Sequence, residues 1–183
     1  VGSLVCGCAT RFARLPSQLT EIDNFQLVSP GIYRGAQPDE EGVEALKGLG
    51  IKTIVSLRLP PHMIEREAAM AKKLGMEFVS LPLSNYDSPS ETDVRTFLSL
   101  VTDPAHQPVF VHCRQGQVRT GALIASYRVL EEGWSAKQAY AEAKRLGFDN
   151  DQPWYLSLKW FIKDLDQYAQ RHHLKQQTAT LPH

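Results

Sequence analysis

Residues 112 to 121 read His-Cys-Arg-Gln-Gly-Gln-Val-Arg-Thr-Gly, and their flanks leave few ways to fold them. The apolar run Pro108-Val109-Phe110-Val111 comes directly before, and a helix-like stretch from Thr120 to Gly133 comes after. That order predicts a buried strand, a tight loop and a helix N-terminus. At such a junction backbone N–H groups and the helix dipole favour an anion. Cys113 and Arg119 stand at the two ends of the loop with five residues between them, Gly116 lies mid-loop, and the Thr120 hydroxyl follows the arginine. A cysteine held there is stabilised as the thiolate. The guanidinium offers a planar fork to two oxygens of a phosphoryl group. Taken singly, such a cysteine reads as a small buried hydrophobe and such an arginine as a surface charge. Taken together, they are a nucleophile inside an anion cradle, which is the equipment for phosphoryl transfer through a phosphocysteine.

The remaining patterns supply a scaffold. Ile51–Leu57 and Glu77–Leu81 are short β-rich runs, and Val109–Val111 is continuously apolar, as interior strands of a parallel sheet are. Helical patterns lie between and after them: Met63–Leu74 before Gly75, Ser90–Thr102, Ser135–Leu146 and Pro153–Tyr168. Two of these open on capping-box spacings, Ser90 with Asp93 and Ser135 with Gln138. The strand–helix alternation predicts an α/β fold with helices on both faces of a sheet. Trp154, Tyr155 and Trp160 are expected in the core. Sites in such sheets gather beyond the carboxyl ends of the strands. The segment Pro82–Pro89 should therefore converge on the Cys113 loop, and Asp87 is its one acid. Glu91 and Asp93 are alternatives, though first-turn helix positions give them local work.

The decapeptide resembles the signature loop of the cysteine-dependent protein tyrosine and dual-specificity phosphatases: His-Cys, five residues, Arg, then Ser or Thr. A second block, Pro30-Gly31-Ile32-Tyr33-Arg34-Gly35-Ala36-Gln37-Pro38 with Leu49–Arg58, is similar to the opening of small bacterial and fungal members. The likeness runs from about residue 24 to 147. It implies a single phosphatase-like domain over 24–171, with a mainly parallel sheet of about four to five strands, and tails at 1–23 and 172–183. It implies catalytic roles for Cys113, Arg119, Thr120 and His112, with Arg114, Gln115, Gly116, Gln117, Val118 and Arg119 forming the phosphate loop. General-acid aspartates of relatives lie two to three dozen residues before the cysteine, and Asp87 lies 26 before Cys113. No metal and no cofactor are implied. The expected partner is a phosphorylated protein or a small phosphomonoester, and the chain is expected to be a monomer. Neutral Gln115, Gln117 and Val118 beside Arg114 favour a phosphotyrosine-type or general phosphomonoester substrate over a polyanion. Gln117, Asn150 and Gln152 are candidates for positioning the hydrolytic water. Arg34 and Arg58 read as structural ion-pair partners. The alternatives are a sulfurtransferase or arsenate reductase, or a non-catalytic phosphate-binding module. A sulfurtransferase loop is one residue shorter, and an arsenate reductase would need resolving cysteines near Cys113.

Composition narrows the class. With 183 residues, 43% of them hydrophobic, the chain suits one globular domain. Twenty basic residues balance twenty acidic ones, which argues against a nucleic-acid binder. Three cysteines, two of them at Cys6 and Cys8, make neither a disulfide framework nor a zinc site. Leu4-Val5-Cys6-Gly7-Cys8 looks like the end of a bacterial lipoprotein signal. On that reading Cys8 carries lipid and the protein is periplasmic or membrane-anchored. An ordinary tail on a cytoplasmic protein is the alternative.

Overall fold

The computed structural model describes residues 17–59, 61–148 and 152–172. Its centre is the apolar run before the decapeptide. Strand β5 (Val109–His112) is buried along its whole length, between β2 (Ile32–Gly35) and β3 (Thr53–Ser56). The sheet runs β1-β2-β5-β3-β4, with β1 (Gln26–Ser29) antiparallel at one edge and β4 (Glu77–Ser80) at the other. The β2–β5, β5–β3 and β3–β4 pairs are parallel. The register aligns Gly35 and Ser56 with His112, so three strands end beside the residue that opens the loop.

The period-two alternation of a strand assigns side chains to two cores. Ile54 and Phe110 point to one face, where they pack with Leu19, Val43, Leu46, Ile51 and Ala71. These come from α1 (Ser17–Thr20), α2 (Glu40–Leu49), α3 (Glu65–Lys73) and the turns between them. Val55, Val109 and Val111 point to the other face, against α4 (Glu91–Thr102), α5 (Val118–Leu130) and the helices that follow. Every residue of α5 is buried, because the sheet lies on one side and α4, α6 (Ala136–Arg145), α7 (Leu156–Lys163) and α8 (Leu165–Arg171) surround the rest. Small residues at Gly121, Ala122 and Ala125 suit such crowding, and Ala139 and Ala143 of α6 share the same core.

Both expected capping boxes are present, Ser90 with Asp93 and Ser135 with Gln138. Other boundaries differ. The helix expected from Met63 starts only at Glu65, after a 3-10 turn over Pro61–Met63. The stretch from Pro153 to Tyr168 is a 3-10 turn and two helices that break at Asp164. Trp154 and Trp160 are not core residues but are 49% and 62% exposed. The inward stripe is Leu158, Phe161, Ile162 and Leu165, and Trp160 falls off it. The body also starts earlier than Asn24, since Leu19 and Ile22 are buried. Strands β1 and β2 and helix α2 had no sequence-based expectation. Cys8 and Asn150 lie outside the described residues.

Two substitutions test this packing. Phe97 is fully buried on α4, so Phe97→Ala is expected to cost about 3–5 kcal/mol in urea unfolding. Gly116 has φ +66, and a Cβ there would stand 2.3 Å from the carbonyl carbon of Gly35. Backbone cannot yield as a flexible side chain does. Gly116→Ala is expected to lower stability by more than ~1 kcal/mol, measured as a drop in Tm.

Candidate active site

Cys113 leaves β5 at its carboxyl end and is 3% exposed, and α5 begins at Val118. Three successive carbonyls of the intervening loop are held by donors from the chain around β2. Gln37 N donates to Arg114 O at 3.3 Å, Asn24 Nδ2 donates to Gln115 O at 2.9 Å, and the Arg34 guanidinium donates to Gly116 O. A peptide unit is planar, with its N–H opposite its C=O. Carbonyls drawn outward therefore turn the amides of Gln115, Gly116 and Gln117 inward, where they make an anion nest with the first turn of α5. Gly116 supplies the left-handed residue that this turn needs.

Electrostatics favour the thiolate. Burial pushes the Cys113 thiol up, but more acts against it: a hydrogen bond from the Thr120 hydroxyl, the Arg119 charge, and the Thr120 and Gln115 amides. The balance lies below the ordinary thiol value. Thr120 is fully buried, and its Oγ1 is engaged by no hydrogen-bond partner, so the hydroxyl next to Cys113 is free to donate to a sulfur anion. Arg119 donates through one terminal nitrogen to Leu57 O at 3.0 Å and reaches Leu83 O at 3.5 Å. Its Nε is buried without a partner. The group is thus clamped at one corner and has donor capacity left for a ligand.

A cleft of about 370 Å³ opens beside this loop. Arg58, Arg114 and Arg119 line it, with Leu59, Met63 and Leu83 as apolar wall and Ser84, Asn85 and Tyr86 as the facing loop. No carboxylate is among the described lining residues. Burial, then the charges of Arg119 and Arg114, push the Arg58 guanidinium below its usual range, so the three cations repel one another in the absence of an anion. A larger cleft of about 520 Å³ lies between α2 and α3, but Asp39, Glu40 and Glu41 edge it, and that rim would repel a phosphate.

The two loops converge as their strand order predicts. Asp87 is exposed, one residue beyond cleft-lining Tyr86, and is not itself in the lining. The competing acids are occupied: Asp93 closes the capping box, and Glu91 pairs with Arg95 and His172. Gln117 and Gln152 are half-buried, and Gln117 packs against Gly147. His112 is fully buried, with Nδ1 3.1 Å from Cys113 O and Nε2 2.8 Å from Glu67 Oε1, the latter off hydrogen-bond alignment. Glu67 Oε2 accepts from Gln37 Nε2 at 2.9 Å, and Arg58 donates to Gln37 Oε1 at 2.7 Å. Arg34 and Arg58 are thus not plain ion-pair partners: one holds the loop and the other edges the cleft. Asn24, Gln37 and Glu67 had no sequence-based expectation as site residues, although Gln37 sits in the block that begins at Pro30.

These features have counterparts in known proteins. The family model described as "DSP-PTPase phosphatase fused to NAD+ Kinase" matches residues 13–155. The dual specificity protein phosphatase TpbA of Pseudomonas aeruginosa is 30% identical over 155 residues, which covers 82% of this chain and 68% of that protein. The inositol diphosphatase SIW14 of Saccharomyces cerevisiae is 30% identical over 131 residues, 69% of this chain and 46% of that protein. The crystal structure of TpbA superposes with a TM-score of 0.68 at 28% identity, covering 84% of this chain and 92% of that one. The core catalytic domain of SIW14 gives a TM-score of 0.68 at 26% identity, covering 84% and 94%. With a sheet, a cysteine loop and relatives that all agree, the chain belongs to the dual-specificity branch of the cysteine-dependent protein tyrosine phosphatases and is a phosphatase.

Proposed function

We propose that the chain hydrolyses phosphomonoesters through a phosphocysteine on Cys113, with Arg119 binding the phosphoryl group and Asp87 as general acid. One observation carries this reading: Cys113 is held toward its thiolate next to a cleft edged by three guanidinium groups and, among the described residues, no carboxylate. The Cys113 Sγ electron pair attacks phosphorus in line, the S–P bond forms, and the bond to the leaving oxygen breaks. Asp87 transfers its proton to that oxygen. Inward loop amides and Arg119 hold the three remaining oxygens while charge grows on them. In the second step the Asp87 carboxylate takes a proton from water. The water oxygen attacks phosphorus, the S–P bond breaks, and Thr120 Oγ1 donates to the departing sulfur. Asp87 follows directly on Ser84, Asn85 and Tyr86, which line the cleft, and this position supports its assignment as the acid. His112 orients the loop.

The substrate is read as a phosphorylated protein residue or a small phosphomonoester. TpbA is named a dual specificity protein phosphatase, which supports the first. A more highly charged phosphoester is favoured by one feature that spacing along the chain conceals. Arg58 joins Arg114 and Arg119 at the cleft, giving two cations beyond the one assigned to the phosphoryl group. SIW14, named an inositol diphosphatase, lies on that side. Comparing kcat/KM for a phosphotyrosine peptide and a polyphosphorylated small molecule separates the two. Arg58→Ala should depress the second far more than the first.

The mechanism is tested by phosphate release. Cys113→Ser is expected to abolish turnover, and Arg119→Lys to lower kcat by about 100-fold. Asp87→Asn should lower kcat on phosphotyrosine by about 100-fold, and by less on p-nitrophenyl phosphate, whose leaving oxide needs little protonation. Because the thiolate is the active form and the Cys113 thiol is held down, activity should rise with pH well below the ordinary thiol range. It should fall again as Asp87 loses its proton, and that basic limb should vanish in Asp87→Asn.

A further inference from the structure

Seven large apolar side chains are exposed among the described residues, and three of them, Trp154, Leu156 and Trp160, fall in one short stretch at the start of α7. Helical phase explains the placement. Leu158, Phe161 and Ile162 take the inward side of α7 and join the core. At about 100° per residue, Leu156, Trp160 and Lys163 then fall on the opposite side, with Lys159 at its edge. Trp154 precedes them in the 3-10 turn over Pro153–Tyr155. A surface helix ordinarily turns a polar face outward, and this one turns out indole and alkyl groups instead. The charges among them have one sign. Lys159 and Lys163 are the two charged residues of α7, and it holds no acid. Asp164, which follows, is held by Arg171, and Asp166 accepts from the Ala136 amide at 3.0 Å. Lys163 Nζ stands 5.4 Å from the Trp160 ring centre and 5.1 Å from that of Tyr140, so ammonium and indole share one surface.

We infer that this face docks the folded domain on an anionic lipid surface. Indole rings are apolar in body and polar at one edge, and they settle at the level of lipid headgroups. Leu156 adds an alkyl chain for the acyl boundary, while the stems of Lys159 and Lys163 lie along the apolar surface and their ammonium groups reach headgroup phosphates. A protein partner fits this face less well, because lysine is depleted from protein interfaces and here two lysines are interleaved with the aromatics. The whole chain carries no net charge, so the attraction is local to this face. The contact belongs to the folded domain and needs no lipid on Cys8. It also adjoins the site. Ser88 Oγ donates to Ser157 O at 3.1 Å, and Trp160 borders a cavity of about 450 Å³ together with Ser88 and Pro89. Tyr86, two residues before Ser88, lines the cleft. A docked molecule therefore holds its cleft mouth close to the headgroups.

Co-sedimentation of the full chain with lipid vesicles is the test. One set of vesicles is phosphatidylcholine alone, and the other contains about 30% phosphatidylglycerol. The chain is expected to bind the anionic set at least about tenfold more tightly, and about 0.5 M salt should release most of it. Lys159→Ala with Lys163→Ala should weaken binding about thirtyfold, roughly fivefold for each lysine. Trp154→Ala with Trp160→Ala should weaken it at least about tenfold. All four side chains lie at the surface, so Tm should hold and phosphate release from p-nitrophenyl phosphate in solution should stay within about twofold of wild type. Equal binding to both vesicle sets, binding to neither, or binding that survives in either pair of substitutions overturns the inference. Sedimentation velocity without lipid covers the other occupant. A dimer that forms in the wild type and is lost in the tryptophan pair assigns the face to a second copy of the chain and overturns it as well.

Discussion

The site depends on a reversal of peptide direction. Arg114, Gln115 and Gly116 all turn their carbonyls toward donors on the β2 side, from Gln37, Asn24 and Arg34. Planar peptides then leave no choice about where the next amides point. The anion cradle is therefore made of backbone, and the side chains of Gln115 and Gln117 are incidental to it. Arg34 shows how much the fold commits to this arrangement. It is 1% exposed, its Nε and one terminal nitrogen have no partner, and burial pushes its pKa down to about 10, so it is still a cation near neutral pH. Burying such a charge costs several kcal/mol. The counter-charges that ease it are Glu142 on α6, which Arg128 also holds, and Cys113 itself. A thiolate at Cys113 thus helps to stabilise the arginine that shapes its own loop.

Around that loop the charges fall into layers. Arg58, Arg114 and Arg119 face the cleft, and Arg34 stands behind the loop, with Cys113 and its Thr120 hydroxyl between them. His112 and Glu67 close the layer beneath, toward α3. In water such a cluster would be screened within about 10 Å. Inside the sheet–helix junction it is not, and each charge shifts its neighbours. That is why the thiol is held down although burial alone would raise it.

The strand and helix that carry the nucleophile were legible because four buried residues in a row and a following helical stretch have few other readings. Both capping boxes were legible because the Ser90–Asp93 and Ser135–Gln138 pairs are local. The first two strands were not. β1 exposes part of its length, β2 is only four residues long, and neither has a pattern that survives without its neighbours. Trp160 was misread because its aromatic character was weighed above its place off the stripe of Leu158, Phe161, Ile162 and Leu165. Glu67 was invisible for a different reason: a Glu in a charged helix reads as solvated until the helix is laid against the sheet.

The chain's local chemistry by itself determined the nucleophile, the arginine, the hydroxyl and the glycine of the decapeptide, since five residues between Cys113 and Arg119 suffice to close a loop around an anion. It determined the α/β class too, because strand and helix periods are written in neighbouring residues. Tertiary structure decided everything that depends on distant segments meeting. It aimed Asn24, Arg34 and Gln37 at the loop carbonyls and brought Arg58 to the cleft. It also set Glu67 against His112, 45 positions along the chain. The physical reason is register: parallel pairing aligns Gly35, Ser56 and His112 side by side, and only that alignment lets side chains from three strand ends act on one sulfur.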